Sequence, residues 1–167
     1  MQLTHDTTIF KKQKNAITLV CDNVSNAPNV GSLFRMADAF NVEELIFCGD
    51  NIPLGKRIKR TSRSTEKYVN FRVNTNIHQV LSDLKAAQHF IIALEITKCG
   101  IALDQLKFDK KKPIALIIGN ENLGISDAVL QQCNVATHIT MYGNNSSMNV
   151  VQAASIALYE ITNQLHL

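Results

Sequence analysis

A chain of 167 residues, 46% hydrophobic and 19% charged, is long enough to bury one sizeable core and too apolar for a disordered tail. Its formal net charge of +3 permits an anionic partner without requiring one, so the placement of charge matters more than its sum. No stretch reaches the roughly 18 apolar residues of a membrane span, and the opening MQLTHDTTIFKKQK lacks the apolar core and cleavage site of a secretory leader. The expectation is a cytoplasmic protein with no membrane partner. Cys21, Cys48, Cys99 and Cys133 form no CxxC pair and have no histidine at zinc spacing, so they read as buried thiols of a reducing compartment, with no metal site.

In chain order, residues 16–21 (AITLVC) form a short apolar run, followed by a polar loop to Pro28 and a helical stretch over 30–40. Residues 43–48 (EELIFC) are the next strand, closed by the turn residues Gly49, Asp50 and Asn51. A helix is predicted over 77–87, with Ile77, Val80, Leu81 and Leu84 on one face. Strands follow at 90–96, 114–118 and 136–141, and a last helix at 149–165 buries Val150, Ala154, Ala157, Leu158, Ile161 and Leu165. The unbroken apolar run IALII suits a strand covered on both faces, as in parallel sheets. The pattern predicts one α/β domain over 1–167, with a mostly parallel sheet of five or six strands flanked by helices. Residues 1–15 make a short N-terminal extension.

The segment 55–67 (GKRIKRTSRSTEK) departs from that alternation, carrying Lys56, Arg57, Lys59, Arg60, Arg63 and Lys67 against one acid, Glu66. It suits a grip on a phosphate backbone through ionic contacts and hydroxyl hydrogen bonds. A solvated basic loop is the plain alternative, and no aromatic interleaves within the segment.

Three further islands stand where strands give way to helices. In the first, Asn29 to Arg35 (NVGSLFR), Asn29 is placed to cap a helix whose stripe of Val30, Leu33, Phe34 and Ala37 leaves Ser32 and Arg35 on the opposite side. The second, Ile118 to Gly124 (IGNENLG), follows the most apolar strand with two glycines around Glu121. That arrangement suits the crevice where open α/β sheets bind ligands, and it matches neither GxGxxG nor a phosphate loop. The third, Gly143 to Val150 (GNNSSMNV), is a polar loop opening the last helix. Taken singly, each reads equally as a helix cap or a turn.

Their order and spacing resemble the SpoU family of RNA ribose 2′-O-methyltransferases, in the SPOUT superfamily, over nearly the whole chain. The resemblance implies a C-terminal trefoil knot, an obligate homodimer and S-adenosylmethionine as cofactor, held by Leu94, Gly119, Ile139, Met141 and Met148. It places Asn29, Arg35, Glu121, Ser147 and Asn149 on catalytic positions. The family proposal makes the arginine a base or an activator of the hydroxyl. Guanidinium groups stay protonated in water, so the preferred role for Arg35 is to grip a phosphate and steady the developing alkoxide. Ser147 and Asn149 are expected to orient substrate or Arg35, and Glu121 to brace the site. The chain departs from common family patterns at Thr140, where proline is frequent, at Val151, where serine is, and at Ser62-Arg63-Ser64-Thr65, where Ser-x-Gly-Ala is. The implied substrate is RNA, tRNA before rRNA. The other readings are an RNA-binding member without catalysis and a SPOUT enzyme methylating a base nitrogen.

Overall fold

A computed structural model describes residues 13–166, with the side chains of Lys56 and Arg57 outside the described set. Most of the proposed N-terminal extension, residues 1–12, lies outside it too. Seven strands form one sheet: β1 (Asn15–Asp22), β2 (Val42–Cys48), β3 (Phe71–Asn74), β4 (Phe90–Leu94), β5 (Ile101–Ala102), β6 (Ile114–Ile118) and β7 (Val135–His138). They lie in the order β3-β2-β1-β6-β4-β7-β5, and every pairing is parallel. The helices are α1 (Ala27–Ala39), α2 (Lys56–Ser62), α3 (Ile77–Ala86), α4 (Asp127–Leu130) and α5 (Val150–His166).

The expected five or six strands are therefore seven. The two additional ones, β3 and β5, are the sheet's edges. Their four and two residues alternate exposed with half-buried positions and carry no long apolar run. β4 stops at Leu94 and β7 at His138, so Ile96 and Ile139 to Met141 belong to loops at the sheet's end.

Every residue of β6 is buried, because each face of the sheet has its own core. Leu19, Leu45, Phe47, Ile92, Leu116 and Ile118 share one cluster with Leu33 and Phe34 of α1 and Ala157, Leu158 and Ile161 of α5. Val20, Ile46, Ile91, Ala115 and Ile117 share the other with Val80, Leu81 and Leu84 of α3 and Val129 of α4. Alternate side chains of a strand enter opposite layers, and burial of both layers produces the continuous hydrophobic sequence.

The chain runs outward from β1 through β2 to β3, then crosses to the other half of the sheet, where β6 lies between β1 and β4. Such a reversal opens a crevice at the carboxyl ends of the strands. The ends of β1, β6, β4 and β7 deliver their loops to this edge.

The basic segment is not a loop. Residues 56–62 form α2, Arg63 and Ser64 adopt left-handed backbone (φ 51° and 69°), and Thr65–Lys67 make a single 3-10 turn. Ile58 and Ser62, one turn apart, are both buried and turn α2 toward α1. Gly31 permits that approach: a Cβ there would overlap the Thr61 side chain and stand 3.0 Å from the Ile58 carbonyl oxygen.

Candidate active site

The first island begins α1, but the cap is not Asn29. Asn26 precedes the helix in extended backbone (φ −78°, ψ 114°), and its side chain accepts the Asn29 N–H at 3.3 Å. Pro28 sits inside the first turn, where its missing donor costs nothing. With Asn26 serving the helix end, the Asn29 amide is free to act in the tertiary structure. Its Nδ2 donates to Glu121 Oε1 at 2.8 Å, and the same oxygen lies 3.4 Å from the Asn26 backbone N–H. Asn149 Nδ2 in turn donates to Asn29 Oδ1 at 3.1 Å. One hydrogen-bonded chain thus runs through all three islands.

Asn149 has a second duty. Its Oδ1 accepts the Val151 N–H at 2.8 Å and so caps α5. Capping occupies the oxygen and leaves the amide NH2 for Asn29, so cap and site residue are compatible roles.

The second island is a closed loop. Asn120 and Gly124 exchange backbone hydrogen bonds of 3.2 and 2.9 Å. Asn120 Oδ1 accepts the N–H groups of Asn122 and Leu123, and its Nδ2 donates to the Asn23 carbonyl oxygen at 2.8 Å. That last bond ties the loop to the end of β1. Both glycines are needed. A Cβ at Gly119 would overlap the Gly124 carbonyl and stand 2.7 Å from Ile125 N, and Gly124 has φ +64°.

Beside this loop lies a cavity of about 930 Å3, within the size of cofactor sites. Leu94, Gly119, Ile139, Met141 and Met148 all line it, as do Glu121, Ser147 and Asn149. Asn29 does not line it but holds two residues that do. Arg35 is exposed and is likewise absent from the lining. It stands one turn beyond Gly31, so it shares the α1 face that meets α2. The structure therefore gathers four of the five expected catalytic residues and leaves Arg35 exposed outside the cavity lining, on the α1 face that carries Gly31.

Charge and burial separate the remaining groups. Burial, with Cys48 and Glu121 adding to it, holds the Cys21 thiol well above the ordinary thiol value. Burial likewise pushes Cys48 up to about 12 and Cys133 to about 11. All four thiols are free, but Cys99 is exposed and Cys133 half-buried, which corrects the expectation of four buried cysteines. Cys99 belongs to the loop between β4 and β5, outside the core clusters. Lys59, Arg60, Arg63 and Lys67 are exposed. Glu66, the lone acid among them, accepts from Ser62 Oγ, and that bond holds its carboxyl below the usual range.

Sequence reasoning did not single out Glu95, Asn120, Asn26 or Tyr68. The asparagines act through backbone contacts that leave no periodic mark. Tyr68, 78% exposed, directly follows the basic segment, whose window ended at Lys67.

A profile of the SpoU rRNA Methylase family matches residues 16–159. The chain belongs to that family. An uncharacterized tRNA/rRNA methyltransferase of Borreliella burgdorferi is 31% identical over 163 residues, covering 95% of this chain and 68% of that protein. The 23S rRNA (guanosine-2′-O-)-methyltransferase RlmB of Acinetobacter baylyi is 29% identical over 158 residues, covering 93% and 63%. Among solved structures, the SpoU methyltransferase AviRb of Streptomyces viridochromogenes, crystallised in complex with AdoMet, superposes with a TM-score of 0.80. It is 25% identical, over 92% of this chain and 62% of that one. The chain thus spans about two thirds or less of each of these proteins. No described helix is long and apolar enough to cross a membrane.

Proposed function

We propose that this SpoU-family chain transfers a methyl group from S-adenosylmethionine to a ribose 2′-hydroxyl of RNA, tRNA before rRNA. The observation that carries the reading is the hydrogen-bonded link from Glu121 through Asn29 to Asn149 at the rim of one cavity. Isolated caps and turns would not share that link. The cavity fits an adenosyl group, with Ile118, Leu130 and Ile139 as apolar wall and close-approaching backbone at Gly119 and Gly124. Leu94, Gly119, Ile139, Met141 and Met148 would hold it. When bound, the cofactor supplies an electrophilic methyl carbon on a sulfonium.

The chain's own contribution is position and charge. In-line transfer needs the attacking oxygen, the methyl carbon and the sulfur aligned, which positioning alone accelerates strongly. Glu121 fixes the Asn29 amide, Asn149 fixes its oxygen side, and Ser147, exposed at the cavity wall, orients the ribose. Arg35, outside the cavity lining, acts from the RNA side: it holds the phosphate next to the reacting ribose and, with the RNA seated, steadies the developing alkoxide, while the proton leaves late, through water or phosphate. The α1 face that carries Arg35 meets α2, so Lys59, Arg60 and Arg63 continue the phosphate track away from Asn29, and the expected Lys56 and Arg57 fall outside the described side chains. Tyr68 offers that track an exposed ring for a nucleobase.

The reading includes a homodimer and a trefoil knot. The exposure of Ile156 (43%) and Tyr159 (64%) on α5 supports the first. The second is supported by β7, which lies beyond β4 from β6 while α5 returns to pack on α1 and β4.

The test is methyl transfer from radiolabelled S-adenosylmethionine to RNA from cells lacking the protein, followed by nuclease digestion. Label in a 2′-O-methylated nucleotide that resists cleavage at its 3′ side is expected. Label released with the base would overturn ribose transfer, and no label with cofactor bound would leave an RNA binder. An Arg35→Lys enzyme is expected to lose about tenfold or more in kcat, since lysine cannot make the paired contacts of a guanidinium. A modest loss with an unaltered pH–rate profile would remove any special role for the guanidinium.

A further inference from the structure

Glu95 is the first residue after β4 and lines the cavity at the carboxyl edge of the sheet. Its backbone is fixed, because its N–H donates to the Thr137 carbonyl oxygen at 2.9 Å. Its carboxylate is fixed as well. Oε1 accepts the Ile96 N–H at 2.9 Å and Oε2 the Ile125 N–H at 3.0 Å. The carboxylate occupies space that a side chain at position 124 would fill, since a Cβ on Gly124 would overlap it. Glu95 therefore clamps the loop of the second island while standing half-buried in the cavity wall.

An ionised carboxylate presents about four acceptor positions. The two backbone donors leave about two of them, one on each oxygen. A rigid pair of acceptors is complementary to two adjacent hydroxyl donors. S-adenosylmethionine offers two adjacent hydroxyls only in its ribose diol. Its adenine suits the cavity's apolar wall, and the ammonium of its methionine part is a single point charge.

We propose that Glu95 is a cofactor-binding residue whose carboxylate accepts the 2′- and 3′-hydroxyls of the adenosyl ribose. The assignment rests on reading the cavity as the S-adenosylmethionine site, and it makes Glu95 a specificity element for ribose over deoxyribose. The clamp preorganises it: the backbone bonds that hold the loop also aim the remaining lone pairs.

Calorimetric titration of the full chain with S-adenosylhomocysteine, its 2′-deoxy and 3′-deoxy forms, and 5′-methylthioadenosine tests this. Wild type is expected to bind each deoxy form about tenfold or more weakly, the usual effect of one lost hydrogen bond to a charged group. Glu95→Gln keeps the shape of the side chain. It should bind S-adenosylhomocysteine and 5′-methylthioadenosine more weakly by a similar factor, and discriminate less between parent and deoxy forms. A residue that only clamped the loop would weaken all four ligands equally in the variant and leave discrimination intact, which overturns the proposal. A variant that lost S-adenosylhomocysteine but kept 5′-methylthioadenosine would assign the carboxylate to the ammonium and overturn it too. Wild type needs no variant to decide: equal affinity for parent and deoxy forms sinks the ribose contact while leaving the cofactor site standing. Failure of wild type to bind S-adenosylhomocysteine at all removes both readings.

Discussion

Ser64 holds left-handed backbone at φ 69°. Left-handed backbone costs a non-glycine residue about 1 kcal/mol or more, and part of that returns as unfolded-state freedom when glycine replaces it. Ser64→Gly is therefore expected to stabilise the protein by about 0.5 kcal/mol, read by urea denaturation. An unchanged or lower midpoint would show that the serine side chain compensates the strain. Asp22 carries strain of another kind. Burial holds its carboxyl above the ordinary value of 3.8, against the opposing effects of the Asn23 hydrogen bond and His78. The folded state then binds that proton more tightly than the unfolded state, so this group's contribution falls as pH rises from the ordinary value through the raised one. Asp22→Asn can keep an acceptor for Asn23 Nδ2, which lies 2.8 Å from Asp22 Oδ1 in the native chain. The variant should exceed wild type in stability at pH 7 and match it below the ordinary carboxyl value. Melts at both pH values give the comparison, and a loss at pH 7 would refute the assignment.

Among the elements, the loop of the second island is the least tolerant of change. Gly119→Ala places a methyl against the Gly124 carbonyl and Ile125 N, and the loop must shift to admit it. A loss of about 1–3 kcal/mol in stability is expected, with S-adenosylhomocysteine affinity down tenfold or more by titration. Wild-type binding in this variant would separate the loop from the cofactor. How legible each element was depended on whether its own residues carry the determining contacts. β1, β2, β4, β6, α3 and α5 bury repeating apolar faces, so their periodicity appears in the chain. Among the described side chains of α2, Ile58 and the small Ser62 are buried and Thr61 meets Gly31, and its surrounding cations concealed that face. The start of α1 was misplaced because Asn26 and Asn29 are chemically equal candidates, and only Glu121 and Asn149, distant in sequence, decide between them. The site's islands were legible as an ordered set, whereas Glu95 was not. Its value depends on the N–H of Ile125, thirty residues away.

On the scale of the molecule, exposed Lys59, Arg60 and Arg63 form a basic margin beside α1, separate from the cavity. Substrate grip and methyl donation are then physically separable. Charge reversal at Arg60 and Arg63 is expected to weaken RNA binding and to reduce the slope of log affinity against log salt by about 0.7 to 0.9 for each phosphate that is no longer neutralised. S-adenosylhomocysteine affinity should be unchanged. Equal RNA affinity at low salt would move the RNA surface elsewhere.

Asn149 closes α5 with one end of its side chain and the Asn29–Glu121 link with the other. On the ribosome, β1, α1 and β6 emerge before it. A nascent chain can thus pair β1, β2, β3, β4 and β6 before the third corner of the site is available. The cap needs only Asn149 and Val151, so the start of α5 and the completion of the site become a single event. A half-made chain would carry the basic margin but no finished site.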